Sequence, residues 1–251
     1  MARTTSECTT AEERDRGERF LAAYHAIEQV LRKMIGSGDT KDSFRHMVDV
    51  AAKENAAVRR FKDDLSEFGE LRNAIVHERV SPDYLIAVPL RETVERIEEI
   101  ERVLANPPTV YPMFRRDVVV FAPDDKMEEV FRAMRSTGYT QFPVYRDGVY
   151  QGLLTDGGIA AWVARLIASQ GDRAMSLSEI PVEEVLASQK NPQRARFVSR
   201  DTTLYEVEEM FRENSKAEKR QISAVLITHS GHPQEQLLGI VTPSDILSFP
   251  G

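Results

Sequence analysis

Gly152-Leu-Leu-Thr155 recurs as Gly239-Ile-Val-Thr242, and the second copy runs on into Pro243-Ser-Asp245. Each phrase follows an apolar stretch of strand character and opens onto a segment with helical spacing. A hydroxyl, and in the second copy a carboxylate, therefore stands at a strand-to-helix turn. Such turns attract polar and anionic groups, because the first N–H groups of a helix have no intrahelical partner. The phrase is complete in one copy only.

The repeat extends well beyond the phrase, and self-similarity of this length governs the reading of the chain. Asp124-Asp-Lys-Met-Glu-Glu129-Val aligns with Asp201-Thr-Thr-Leu-Tyr-Glu206-Val, and Phe142-Pro-Val-Tyr145 with Ser223-Ala-Val-Leu226. The offset between copies grows along the chain, which places insertions in the second copy near residues 214–221 and 228–236. Surface loops absorb insertions, so this is the pattern of a diverged duplication. Each copy reads strand, helix, strand, strand, helix. In the first, Val118-Val-Val-Phe121 is an apolar strand, and Met127, Val130, Phe131 and Met134 follow a helical period. Residues 142–145 and 149–154 are strands around Arg146-Asp-Gly148, a hairpin signal, and residues 159–168 are helical. The second copy has strands at 196–199, 222–228 and 237–241. Its helix carries Leu204, Val207, Met210 and Phe211, and a short final helix follows.

These residues resemble the CBS-domain pair, or Bateman module, over about residues 110–251, with repeat one at about 110–170 and repeat two at about 178–251. Ile180-Pro-Val-Glu-Glu-Val-Leu186 looks like the lead-in found before such a repeat. The resemblance implies an adenine-type ligand (AMP, ADP, ATP or S-adenosylmethionine) in the cleft between two sheets. In such modules the acid at the Asp245 position accepts hydrogen bonds from ribose hydroxyls, a role suited to an acceptor-only group. Thr242 and Ser244 would contact phosphate, and backbone around Tyr139 and Thr140 would hold the base. Two positions depart from the pattern. Gly158 stands where the first copy should carry its acid, and Asp156 is two positions early. Asp125 occupies a place near the expected phosphate, where a carboxylate would repel a polyphosphate. Asp245 has an alternative role as a helix cap, and some CBS pairs serve as dimerisation scaffolds without a ligand.

Residues 1–106 read as a separate all-α bundle, so the fold class is α+β, a helical bundle followed by a tandem β-α-β-β-α pair. Thr10-Ala-Glu-Glu13 resembles a capping box. Phe20, Leu21, Tyr24, Ile27 and Leu31 form a helical stripe that Gly36-Ser-Gly38 stops. Phe44, Met47, Val48 and Ala51 start a second helix. Val58, Phe61, Leu65, Phe68 and Ile75 carry a further stripe, which Ser81-Pro82 ends. Leu90, Val94, Ile97 and Leu104 make a last helix, and Asn106-Pro-Pro108 marks the boundary.

Leu71-Arg-Asn-Ala-Ile-Val-His77 matches Arg-Asn-x-x-x-His, and with Leu85-Ile-Ala-Val-Pro89 downstream the bundle resembles a HEPN domain. Many HEPN domains are metal-independent ribonucleases that act as dimers, and others only bind. The resemblance implies Arg72, Asn73 and His77 as candidate catalytic residues, with RNA as substrate. His titrates near neutrality and Arg stabilises phosphoryl charge, so the types suit cleavage through a 2′-hydroxyl. Arg72 and His77 do not share a helical stripe and would converge across a dimer or a distorted helix. Equally, Arg72 can bridge a neighbouring acid, and His77 can cap the helix C-terminus.

The chain carries 33 Lys and Arg against 40 Asp and Glu, a net charge of −7, which argues against broad non-specific RNA binding. Arg59-Arg60 with Lys62 is the compact basic cluster near Arg72. The single cysteine, Cys8, excludes an intrachain disulfide. No apolar run approaches the ~20 residues of a membrane helix, and a polar start shows no secretory signal. The expectation is a cytoplasmic homodimer with a nucleotide ligand and no metal, since no Cys/His spacing for zinc, P-loop or Gly-x-Gly-x-x-Gly occurs. His25, His46, His229 and His232 show no ligand spacing, and Trp162 is a core or interface residue.

Overall fold

The computed structural model describes residues 11–36, 42–77, 87–170, 176, 178–189, 192–216 and 222–248, with backbone alone at 77, 169–170 and 214–216. The chain divides into two units, Met1–Pro108 and Thr109–Gly251.

The first unit contains α1 (Ala11–Ile35), α2 (Phe44–Glu54), α3 (Ala56–Arg60), α4 (Lys62–His77) and α5 (Arg91–Ala105). The stripes legible in the sequence are its core: Phe20, Ile27, Leu31, Met47, Val58, Leu65, Ile75 and Ile97 are buried. Gly36 ends α1 with φ +62°, as its position after the last periodic residue predicts. The stripe from Val58 to Ile75 is broken at Phe61, which leaves helical geometry (φ −101°, ψ 15°). Asn55 is the reason a separate short helix forms. Its backbone N–H closes α2 on the Ala51 carbonyl at 2.9 Å, and its side-chain oxygen caps α3 by accepting the Val58 N–H at 3.0 Å. Thr10, Ser81, Pro82, Leu85 and Ile86, which carried expectations, lie outside the described residues.

The second unit runs α6 (Val110–Met113), α7 (Met127–Thr137), β1 (Gln141–Arg146), β2 (Val149–Thr155), α8 (Asp156–Gln170), α9 (Val182–Ser188), β3 (Ala195–Ser199), α10 (Leu204–Lys216), β4 (Ala224–Thr228), β5 (Gly239–Val241) and α11 (Pro243–Leu247). In the first copy β1 and β2 pair antiparallel, with Gln141 opposite Thr155. Asp147 (φ 52°) and Gly148 (φ 77°) form the two-residue turn that the Asp-Gly signal predicted. In the second copy β3 pairs parallel and β5 antiparallel with the central β4. Here α10 makes the crossover between β3 and β4.

Val118-Val-Val-Phe121 does not form the expected strand. It makes one parallel bridge, Phe121 to Val144. The Phe121 N–H donates to the Pro143 carbonyl (3.1 Å) and the Tyr145 N–H to the Phe121 carbonyl (2.9 Å). Extending that ladder toward Val119 needs a donor at position 143, and proline has none. Strands β4 and β5 also start two residues later than their apolar runs.

The segment leading into each repeat packs on the other repeat. Val110 is buried with Val198, Val207, Val225, Ile227 and Val241, the core of the second copy. Its N–H donates to the Thr202 carbonyl at 2.9 Å, and Arg115 bridges Gly239. Reciprocally, Ile180, Val182, Val185 and Leu186 complete the first-copy core around Phe142, Leu154, Ile159 and Trp162. The Met127 N–H donates to the Ile180 carbonyl (3.0 Å) and the Leu153 N–H to the Pro192 carbonyl (2.9 Å). A third cluster, Leu153 with Ala224, Leu226 and Ile240, joins the two sheets. Each buried aliphatic or aromatic side chain contributes about 1.5–3 kcal/mol.

Candidate functional site

A cavity of about 270 Å³ lies where the two copies meet. The N-terminal edge of β1 supplies Gly138, Tyr139, Thr140 and Gln141. The swapped lead-in supplies Arg116, Val118 and Val119, and the β5–α11 turn supplies Ile240, Thr242, Ser244 and Asp245. All five residues that the resemblance marked for the ligand, Tyr139, Thr140, Thr242, Ser244 and Asp245, therefore line one space. Gly138 shapes the first wall: in the left-handed region (φ 73°), it ends α7 with its N–H on the Met134 carbonyl at 2.9 Å.

Asp245 has two sets of partners. Its Oδ2 accepts the Thr242 N–H (2.7 Å) and the Thr242 hydroxyl (2.8 Å), a capping box that fixes the turn. Its Oδ1 accepts Arg116 Nη2 at 2.9 Å. Burial opposes the charge on Asp245. The Arg116 guanidinium and the Thr242 groups outweigh it, holding the carboxyl below the ordinary range. The capping role weighed from sequence is thus present, on one oxygen only.

Arg116 is the site residue that the sequence pattern missed. It is separated from Asp245 by 129 positions. The signal was the Arg115-Arg116 pair directly before Asp117 and the apolar run that starts at Val118, but only the lead-in exchange brings it to the second-copy turn. Asp125 stands elsewhere than expected. Its carboxylate accepts the Ala122 N–H at 2.6 Å inside a local turn and does not line the cavity, so it opposes no phosphate there.

The corresponding first-copy position is filled by the chain itself. The Thr155 hydroxyl accepts the Gly158 N–H (3.0 Å) and donates to Gln189 Oε1 (3.2 Å), while Gln189 Nε2 donates to the Leu153 carbonyl (3.3 Å). A Cβ on Gly158 would overlap the Gln189 side chain. Asp156 caps the Gly157 N–H at 2.6 Å and is exposed.

In the helical unit, Arg72 and Asn73 line a second cavity of about 390 Å³ with Tyr24, Phe44 and Glu70 among its walls. The Arg72 guanidinium lies 5.9 Å over the Tyr24 ring, and Tyr24 stacks on Phe44 at 4.4 Å. Arg72 Nη1 reaches Asn73 Oδ1 at 3.4 Å. Burial pushes the Tyr24 hydroxyl up to about 12, against the pull of Arg72. The backbone of His77 ends α4; its side chain lies outside the described atoms. The basic cluster nearby is engaged locally: Arg59 donates to the Ala52 and Lys53 carbonyls at the end of α2, and Lys62 pairs with Asp49 at 2.8 Å. His25, His46, His229 and His232 are exposed, and Trp162 is core. Among the described residues no helix is long and apolar enough to cross a membrane. No group of three or more His, Cys, Asp or Glu among them is placed to hold a metal ion.

Comparison with known proteins agrees with the repeat. The chain shows similarity to the CBS domain pair of protein MJ0100 in complex with 5′-methylthioadenosine and S-adenosyl-L-methionine (15% identity, covering 56% of this chain and 94% of that one, TM-score 0.41). It is similar to a CBS domain-containing protein of unknown function from Kribbella flavida (16% identity, 53% and 92%, TM-score 0.39). A CBS-domain containing protein from Agrobacterium tumefaciens is similar too (18% identity, 53% and 87%, TM-score 0.36). No curated protein matches. The CBS-domain family profile matches residues 110–165 and 178–250, together just over half of the chain. The chain belongs to the CBS-domain family.

Proposed function

We propose that this protein is a ligand-sensing regulator, in which the CBS pair binds an adenosine-type nucleotide and the helical unit, residues 1–106, is a HEPN-like output domain. The observation that carries this reading is the single cavity lined by Tyr139 and Thr140 from one copy and Thr242, Ser244 and Asp245 from the other. Its chemistry suits such a ligand. Asp245 is an acceptor for a vicinal diol, Val118, Val119 and Ile240 offer apolar surface to a base, and backbone at the β1 edge offers hydrogen-bonding groups. The volume, about 270 Å³, lies just below the ~300 Å³ at which ligand cavities usually begin. A regulatory effect requires the ligand to favour one of two arrangements, and a homodimer would give the output domain a partner to move against.

Thermal unfolding of the purified chain with AMP, ADP, ATP, adenosine, 5′-methylthioadenosine and S-adenosylmethionine tests the reading. A ligand at one hundred times its Kd should add about 2.7 kcal/mol, and Asp245→Ala should lose most of that gain. No stabilisation by any of them, or an equal response from Asp245→Ala, sinks it.

A second reading makes the helical unit a metal-independent ribonuclease. What favours it is the cavity that holds both Arg72 and Asn73 beside an aromatic pair, an arrangement able to receive a phosphate and a stacked base. Wild type should then cleave single-stranded RNA in the presence of EDTA, and His77→Ala should cut at least about a hundredfold more slowly, the scale of general acid–base catalysis. Equal rates from both proteins would remove His77 from the chemistry.

A further inference from the structure

We infer that the second-copy site selects a phosphorylated nucleoside, with Arg116 as its phosphate-binding residue and the Arg116–Asp245 ion pair as a latch that the ligand must exchange; this rests on the adenosine-type reading above. The Asp245 carboxylate is engaged on both oxygens. Oδ2 holds two groups of Thr242 that belong to the same turn, and Oδ1 holds Arg116 from a remote segment. One acceptor site on Oδ1 remains open, enough for one hydroxyl; a sugar diol that donates through both hydroxyls takes its second site from the remote partner, since removing the local one would undo the turn.

That displacement is costly for a neutral ligand. The Arg116 and Asp245 side chains are 28% and 23% exposed, so both charges are largely withdrawn from water. A nucleoside that took Asp245 would leave a guanidinium without its counterion in a partly desolvated place. Arg116 cannot withdraw far. Its backbone N–H donates to the Leu238 carbonyl (3.3 Å), and Arg115 beside it bridges Gly239, so the side chain swings from a root fixed on the second copy. A phosphate offers the guanidinium two coplanar acceptors in place of the carboxylate. The ligand then supplies both halves of the exchange, its hydroxyls to Asp245 and its phosphate to Arg116.

The charge balance of the cavity fits one phosphate. Among the described residues that line it, Arg116 and Asp245 are the only full charges, and Asp125 is turned away. The same latch discriminates against neutral nucleosides, which is specificity gained by leaving the wrong ligand an unpaired charge.

Isothermal titration with adenosine and with AMP, on wild type, Arg116→Gln and Arg116→Lys, tests this, with the melting temperature of each as a check on folding. Wild type should bind AMP about ten- to a hundredfold more tightly than adenosine, the scale of one charge-assisted contact. Arg116→Gln should abolish that preference by weakening AMP alone, and should hold adenosine as well as wild type or better, because no latch remains to be opened. Arg116→Lys should keep part of the preference. Equal wild-type affinities for AMP and adenosine, or an Arg116→Gln variant that loses both ligands alike, overturn the inference and leave the adenosine-type reading standing. Failure of wild type to bind either ligand overturns both.

Discussion

Replacing Gly239 by alanine is expected to destabilise the repeat unit by about 3 kcal/mol, the upper part of the range for overfilling a packed site. Gly239 opens β5 and is buried. A Cβ there would overlap the Phe114 carbonyl oxygen and come within 3.1 Å of its carbon and 3.3 Å of Ile227 Cδ1. The obstacle is backbone, held by the Arg115–Gly239 bridge and by the Phe114 N–H on the Val110 carbonyl at 2.9 Å. It cannot rotate away as a side chain would, so the lead-in must lift off the sheet. Glycine inside a strand often marks such a close approach. Gly152, its counterpart in the first copy, is the control. Its Cβ would meet Leu186 Cδ1 and the Pro192 carbonyl at 3.1 Å, contacts that yield by a few tenths of an ångström. Gly152→Ala should cost about 1 kcal/mol or less. In thermal unfolding the first substitution should lower Tm by roughly 6–12 °C and the second by no more than about 4 °C. If Gly239→Ala melts with wild type, the lead-in is not pressed against β5, and the route by which Arg116 reaches Asp245 falls with it.

The repeated glycine was legible in the sequence as a mark of duplication, whereas its physical reason was not. Helices and the first hairpin were readable because they are local. Period 3.6 sets the buried faces of α1 and α5, and Asp147-Gly148 specifies a turn with two positive φ angles. The exchange of lead-ins carries no period. Val110 and Phe114 pack on strands about a hundred positions later, and nothing near them in the chain records the partner. Two smaller errors arise where burial is read without the backbone's hydrogen bonds. The apolar run at Val118 reads as strand because apolarity reports burial, but the absent N–H of Pro143 limits its pairing. The stripe from Val58 to Ile75 reads as one helix because its burial is continuous, while Asn55 and Phe61 redirect the backbone beneath it. For the site, the phrase ending in Asp245 identified the turn. Arg116 and the Gln189 side chain, which decide what the two copies can accept, come from other segments and required the fold.

Phe142→Ala should cost more than any other change discussed, about 4 kcal/mol, as is usual for emptying a fully buried aromatic site. Phe142 is wholly enclosed in β1 opposite Leu154, and its ring meets Phe121 edge-on at 5.4 Å. That contact has more than its own area to supply. The Val118–Phe121 stretch is attached to β1 by a single bridge, so the Phe121–Phe142 pair is a principal fastening of a segment that the ladder does not hold. The same stretch gives Val118 and Val119 to the ligand cavity, and Gln141, next to Phe142, gives the facing wall. Removing the ring should therefore weaken nucleotide binding as well as the fold, although Phe142 does not line the cavity. Urea unfolding with and without nucleotide separates the two effects. Wild type at a hundredfold excess over its Kd gains about 2.7 kcal/mol; the variant at the same concentration should gain less, because its own Kd is higher. A variant that loses about 4 kcal/mol and yet regains the full wild-type increment would show that the cavity wall stands without Phe142. A loss below about 1.5 kcal/mol would mean that the surrounding side chains close over the space, and that Phe121 is held to β1 by its bridge alone.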